Sequence, residues 1–127
     1  MDIKNKVAVV TGGASGIGTA LCRRFAQDGA KAVVAADIDA EGVKAVADEI
    51  GGMAVTCDVR KEADITRLVA ETEKTCGPVD IFCSNAGIVL PGCLEVSNEE
   101  WQRIWEINVM AHVYAARAVV PGMIDRG

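Results

Sequence analysis

Four glycines fall within seven positions of the segment VVTGGASGIGTAL, at Gly12, Gly13, Gly16 and Gly18. Glycine weakens a helix start by up to ~1 kcal/mol, because it loses more backbone entropy on folding than alanine does. The segment lies between a β-branched run and an amphipathic helical period, where free backbone N–H groups and the positive end of the helix dipole face outward and favour an anion. Gly12, Gly16 and Gly18 let the backbone turn tightly and approach a pyrophosphate, and the last also lets the helix pack closely on a sheet. A surface turn that happens to be rich in glycine is the alternative; the strand before, the helix after and an acid downstream weigh against it. The Gly12-x-x-x-Gly16-x-Gly18 spacing differs from G-x-G-x-x-G. It also lacks the Lys-Ser/Thr ending of a phosphate loop, which disfavours nucleoside triphosphate hydrolysis.

Asp37 follows the turn by about 20 residues, at the end of a second β-branched run, where a carboxylate accepts hydrogen bonds from a ribose diol and repels a 2′-phosphate. Ser15 in the turn is neutral, and Ile38 rather than Arg or Lys follows the acid. The expected cofactor is therefore NAD in preference to NADP.

The elements that position these residues are short β-branched runs alternating with helical periods, the pattern of βαβ units. Strands are expected at 6–11 (KVAVVT), 32–36 (AVVAA), 53–57 (MAVTC) and 79–84 (VDIFCS). Ile17, Leu21 and Phe25 recur every four residues before the stop signal Gly29. Val43, Val46, Ala47 and Ile50 precede Gly51-Gly52, and Ile65, Leu68, Val69 and Cys76 precede Gly77-Pro78. Ser97-x-x-Glu100 forms a capping box that opens a helix through Trp101 and Trp105. A further apolar helix is expected over 109–124, bent or broken near Pro121-Gly122. Right-handed crossovers then give an α/β fold: a Rossmann-like, doubly wound parallel sheet of strand order 3-2-1-4, with a crevice where the chain reverses its direction of travel between the first and fourth strands.

Thr11-Gly12-x-x-x-Gly16-Ile17-Gly18, Asp37, Asp58-Val59, Asn85-Ala86-Gly87 and Asn108, taken together and in order, resemble the N-terminal half of a short-chain dehydrogenase/reductase. The resemblance covers essentially the whole chain. It implies that Ser15, Ile17 and neighbouring amides hold the pyrophosphate and adenosine ribose, that Asp37 takes the ribose hydroxyls, and that Asp58 and Val59 border the adenine. It implies that Asn85, Ala86 and Gly87 line the crevice opposite the glycine turn, where small residues let a cofactor pass close to the backbone. It further implies that Asn108 bends its helix and holds a water feeding protons to an active-site Lys. Read from position alone, Asp58 could be a turn carboxylate and Asn108 an N-cap for the helix that follows.

The family's chemistry requires a substrate-positioning Ser, a Tyr acid/base and a Lys four residues after that Tyr. Tyr114, the single tyrosine, is followed by Ala115, Ala116, Arg117 and Ala118, so it reads as a packing residue. The expectation is of a single domain over residues 1–127, truncated before the fifth strand: the cofactor-binding half of an oxidoreductase that moves hydride between a nicotinamide and a small alcohol or ketone. A noncatalytic dinucleotide-binding module, or a split partner of another chain, is the alternative. The fourth strand would then be an apolar edge. The last helix, apolar almost all round, would need a second partner, which in the family is the interface of a homodimer or homotetramer.

The remaining composition narrows the classes. In 127 residues, 13 Lys and Arg against 18 Asp and Glu give a net charge of −5, which argues against nucleic acid or an anionic membrane as partner. The N-terminal stretch has no apolar signal core, and no uninterrupted apolar run reaches the ~18 residues of a membrane span, so a cytoplasmic location is expected. The five cysteines, Cys22, Cys57, Cys76, Cys83 and Cys93, include no C-x-x-C pair and read as buried thiols of a reducing compartment. His112, the one histidine, makes a zinc site improbable, so no metal is expected. Trp101 and Trp105 are expected to pack in the core or at its rim.

Overall fold

The computed structural model describes residues 2–127; Met1, the first residue of the expected domain, lies outside them. Four strands, β1 (Val7–Thr11), β2 (Ala32–Asp37), β3 (Met53–Thr56) and β4 (Ile81–Cys83), form one parallel sheet of order β3-β2-β1-β4. β1 is wholly buried, as expected of a central parallel strand covered on both faces, and this is why it reads VAVVT without polar alternation. β4 is shorter than the 79–84 run: Val79 and Asp80 precede it, and Ser84 already turns into the site.

The register assigns the faces. Val9 sits between Val34 and Phe82, and Val10 between Ala35 and Cys83. Because alternate residues point to opposite faces, Val10, Val33 and Ala35 pack with Cys22, Val43 and Val46 of helices α1 (Gly16–Gln27) and α2 (Ala40–Ile50). Val9, Val34 and Ala36 pack on the other side with Ile65, Leu68 and Val69 of α3 (Glu62–Cys76) and with Ala111, Ala115 and Val119. The chain is thus a three-layer α/β sandwich.

Local chemistry ends the helices where the sequence signals it. The Asp39 carboxylate accepts from the Gly42 amide at 3.0 Å to open α2, and Gly51 closes it in the left-handed region at φ 66°. Ser97 and Glu100 form the reciprocal capping box that opens α4 (Asn98–Trp105).

The structure departs from the sequence pattern in three places. No break separates α4 from the last helix: a π-helical segment, Glu106–Met110, joins it directly to α5 (Ala111–Asp125), so Asn108 lies inside a helix and is not an N-cap. α5 also continues through Pro121, whose ring removes one hydrogen bond near an exposed end without stopping the helix. The continuous helix Asn98–Asp125 is long and apolar enough to cross a membrane by length and composition, yet it buries Ala111, Ala115 and Val119 against the sheet.

Burial is the third departure from the sequence pattern. Trp101 and Trp105 are 55% and 54% exposed rather than packed in the core. Of the cysteines, Cys22 and Cys57 are buried, Cys76 and Cys83 are half-buried and Cys93 is exposed. Ile17, read as the first residue of the apolar face of α1, is 73% exposed; the face that meets the sheet is built on Gly18 and Cys22.

Candidate functional site

The crevice begins at a clamp between β1 and β4. The buried Thr11 hydroxyl accepts from the Asn85 and Ala86 amides at 3.0 and 3.2 Å and donates to the Cys83 carbonyl at 3.4 Å, while the Asn85 side-chain amide donates to the Thr11 carbonyl at 3.0 Å. This fixes residues 85–87 against the glycine turn.

Two glycines there have distinct duties. A Cβ on Gly18 would overlap the Gly12 carbonyl oxygen, so this glycine lets α1 meet the turn at backbone contact. Gly16, at φ 51°, has nothing within 4 Å of the place a Cβ would occupy. Its backbone faces open space, the geometry of a cradle for a ligand that must reach the amides. Ser15 is the N-cap of α1 by position, but its side chain makes no capping hydrogen bond.

Asp37 is held at the rim by two amides: Ala14 donates to Oδ2 at 3.3 Å and Asp39 to Oδ1 at 3.1 Å. Around it opens a cavity of about 470 Å³ lined by Gly12, Ser15, Gly16, Ile17, Asp37, Ile38, Asp58, Val59, Asn85, Ala86 and Gly87. The structure therefore brings every sequence-expected cofactor residue except Gly18 to one cavity. Gly18 acts from beneath. The exposure of Ile17 is explained in the same way, since its side chain borders the cleft and not the sheet.

Sequence reasoning missed Cys57, Arg60, Ile88, Arg103 and Ile107, which complete the lining. Burial pushes the Cys57 thiol up to about 11, with nearby carboxylates adding to the effect, so it stays protonated at neutral pH. Arg60 forms a fork on Asp58: Nε reaches Oδ1 at 3.0 Å and Nη2 reaches Oδ2 at 2.7 Å. That fork, opposed by burial and helped by the Arg60 backbone amide, holds the Asp58 carboxyl below the usual carboxylate range. An i, i+2 Asp-x-Arg spacing was the available signal.

Asn108 does not line this cavity. It borders an adjacent, more open depression of about 510 Å³ with Ser84, Val89 and His112, which shares residues 85–88 with the first. His112 Nδ1 and Ser84 Oγ are 2.7 Å apart. Tyr114 packs against the core rather than lining either cavity. Among the described residues, no group of three or more His, Cys, Asp or Glu is placed to hold a metal ion.

The sequence profile of the family described as short chain dehydrogenase matches residues 6–127. The 1-deoxy-11-beta-hydroxypentalenate dehydrogenase of Streptomyces exfoliatus is 39% identical over 100% of this chain and 49% of its own. Dehydrogenase/reductase SDR family member 4 of Bos taurus is 43% identical over 98% of this chain and 47% of its own. The chain spans about half the length of the curated relatives it matches. Among solved structures, a short-chain dehydrogenase from Novosphingobium aromaticivorans superposes with a TM-score of 0.92 at 32% identity, covering 98% of this chain and 48% of that one. A 3-ketoacyl-(acyl-carrier-protein) reductase from Brucella melitensis, complexed with NADH, gives a TM-score of 0.89 at 41% identity, covering 94% and 50%.

Proposed function

The chain belongs to the short-chain dehydrogenase family, and on that premise we propose that it forms the cofactor-binding half of an NAD-dependent oxidoreductase acting on a small alcohol or ketone. The observation that carries the NAD reading is the Asp37 carboxylate, pinned through both oxygens at the cavity rim. Fixed there, it accepts from a ribose diol and repels a 2′-phosphate. The neighbouring Ile38 supplies no compensating cation.

The nicotinamide, when bound, accepts or gives the hydride. The chain's own residues bind and orient. Amides at the start of α1 meet the diphosphate, with the open backbone at Gly16 allowing close approach. Residues 85–87 form the opposite wall, held by Thr11. Asn108 tethers the segment after that wall through Ile88. Tyr114 packs against the core and lines neither cavity, so we assign it no part in proton transfer.

A homodimer or homotetramer is the assembly we propose. Trp101, Trp105, Val109 and Val120 leave an apolar stretch of the long helix exposed, and such a surface favours a partner.

Calorimetric titration with NAD⁺ and NADP⁺ tests the cofactor reading. NAD⁺ should bind tighter by about 10-fold or more, since a fixed like charge at a 2′-phosphate costs on the order of a few kcal/mol. D37S should narrow that ratio at least 10-fold. Tighter binding of NADP⁺ by the unmutated chain overturns the NAD assignment, and binding of neither overturns the cofactor site. Binding without turnover of secondary alcohols by the complete protein would make this a noncatalytic module.

A further inference from the structure

Residues 84–88 run from the end of β4 past the cleft and are held from two sides. From β1, the Thr11 hydroxyl accepts from the Asn85 and Ala86 amides at 3.0 and 3.2 Å. From the long helix, side chains four residues apart hold the two ends of the segment. Asn108 takes both backbone groups of Ile88, at 2.8 and 2.9 Å, and His112 takes the Ser84 hydroxyl, with Nδ1 and Oγ 2.7 Å apart. Between these anchors, Gly87 alone of the five makes no hydrogen bond among the described residues. It lines both the main cavity and the depression beside it, so its backbone is the part of the wall left open to a ligand.

The Ser84–His112 contact is the one anchor of this segment that the cofactor reading leaves unused. Both residues border the depression and neither lines the main cavity. A hydroxyl both donates and accepts, and imidazole Nδ1 does one or the other in every protonation state, so the contact stands wherever the ring proton sits. The contact is exposed, and an exposed hydrogen bond adds little to global stability. Its effect is local. A segment leaving a sheet edge has no ladder partner, and its order depends on the few side chains that hold it. Without His112, Ser84 is released at the point where the chain leaves β4, and the slack passes along the segment to Gly87.

We infer that His112 is a positioning residue of the cofactor wall: acting through Ser84, it fixes the near end of residues 84–88 as Asn108 fixes the far end, and together they set where the open Gly87 backbone stands in the cleft. This rests on the dinucleotide reading of the cavity and deepens it. His112 acts through the wall and not by contact with the ligand, because it does not line the main cavity. Its loss therefore costs dinucleotide affinity and little stability. The contact is made at Nδ1, an atom attached to Cγ. Asparagine places a polar atom at the same point along the side chain, whereas glutamine places one a bond further out.

The test is calorimetric titration with NAD⁺ of the full chain and of H112A, H112N, H112Q, S84A and the double variant S84A/H112A, with thermal midpoints measured in parallel. H112A and S84A should each weaken NAD⁺ binding about 2- to 5-fold, the range of one net hydrogen bond, while the midpoint falls by about 2 °C or less. The double variant should bind no more weakly than either single one, since both remove the same contact. H112N should recover most of the affinity and H112Q should not. A merely structural role would lower the midpoint and leave the affinity of the folded chain, measured well below that midpoint, unchanged. Unchanged affinity in H112A, additive losses in the double variant, or rescue by H112Q as full as by H112N overturns the inference while leaving the cofactor reading intact. Should S84A not fold, the three His112 variants decide. Failure of the unmutated chain to bind NAD⁺ overturns the cofactor reading, and this inference with it.

Discussion

Asn108 and Ile88 form a closed two-point pair: the Asn108 side-chain amide donates to the Ile88 carbonyl at 2.8 Å, and the Ile88 amide donates to Asn108 Oδ1 at 2.9 Å. A side chain on the long helix thus stands in for the strand neighbour that a backbone segment leaving a sheet edge would otherwise require. Both polar ends of the side chain are spent on one residue. The π-helical segment that carries Asn108 is the local departure from α geometry commonly met at functional sites.

Replacing Asn108 by Ala should leave both Ile88 groups without their partner and destabilise the chain by about 1–3 kcal/mol. Hydrogen exchange at the Ile88 amide should rise well beyond what the global loss accounts for. Asn108→Asp keeps the acceptor but puts a second oxygen against the Ile88 carbonyl, so it should rescue amide protection only in part. Denaturant titration and amide exchange check both expectations; protection unchanged in the Ala variant would remove the tether from the account of the cleft.

Gly16 and Gly18 lie two residues apart and should respond differently to alanine. At Gly18 the added Cβ overlaps the Gly12 carbonyl and also meets the Asn85 side-chain amide at 2.9 Å, so α1 must move off the turn. The expected loss is about 3 kcal/mol or more, as for severe overpacking. At Gly16 there is room, and the cost is the left-handed backbone alone, about 1–2 kcal/mol. Gly16→Ala should therefore fold yet bind dinucleotide more weakly, because the methyl stands where the ligand approaches. Thermal melts with and without NAD⁺ separate the two effects.

The thiols should divide by burial. Cys93 is exposed, whereas burial first, and then the neighbouring Cys83, pushes Cys22 up to about 11; Cys57 reaches a similar value. A disulfide reagent at neutral pH should label Cys93 fast, with Cys22 and Cys57 reacting only as the chain opens. Both buried groups bind their protons more tightly in the folded chain than in the unfolded one. Their contribution to stability is thus fully present below the ordinary thiol value of 9.0 and is lost as pH rises towards about 11. Unfolding midpoints measured between neutral pH and that range should fall, and Cys22→Ser should change the slope. A flat profile would mean that these thiols are as acidic folded as unfolded.

Legibility in the sequence follows the range of the interaction. The capping box at Ser97 and Glu100, the stop at Gly51 and the β-branched run of β1 all depend on neighbours within a few positions, so pattern alone locates them. The strand order also follows, because right-handed crossovers leave few alternatives for successive βαβ units. Ile17 lies beyond the reach of local pattern. Its helical period is that of a core residue, but the close approach of Gly18 to Gly12 rotates the buried face and leaves Ile17 at the cleft. Trp101 and Trp105 fail similarly, since an apolar stripe announces a covered face without saying what covers it.

What the sequence by itself determined is the set of elements, their order in the sheet and the presence of a glycine turn followed by an acid, all encoded in short-range sterics, hydrogen-bonding capacity and apolar period. What only the tertiary structure decided is which groups meet across the chain. The Thr11 hydroxyl finds amides 74 and 75 residues away, the Asn108 amide spends itself on Ile88, and Arg60 and Asp58 come to share a cavity with Asp37. Those partnerships depend on the packing distance between layers and the angle at which α1 leaves the sheet, quantities to which no local pattern of residue types is sensitive.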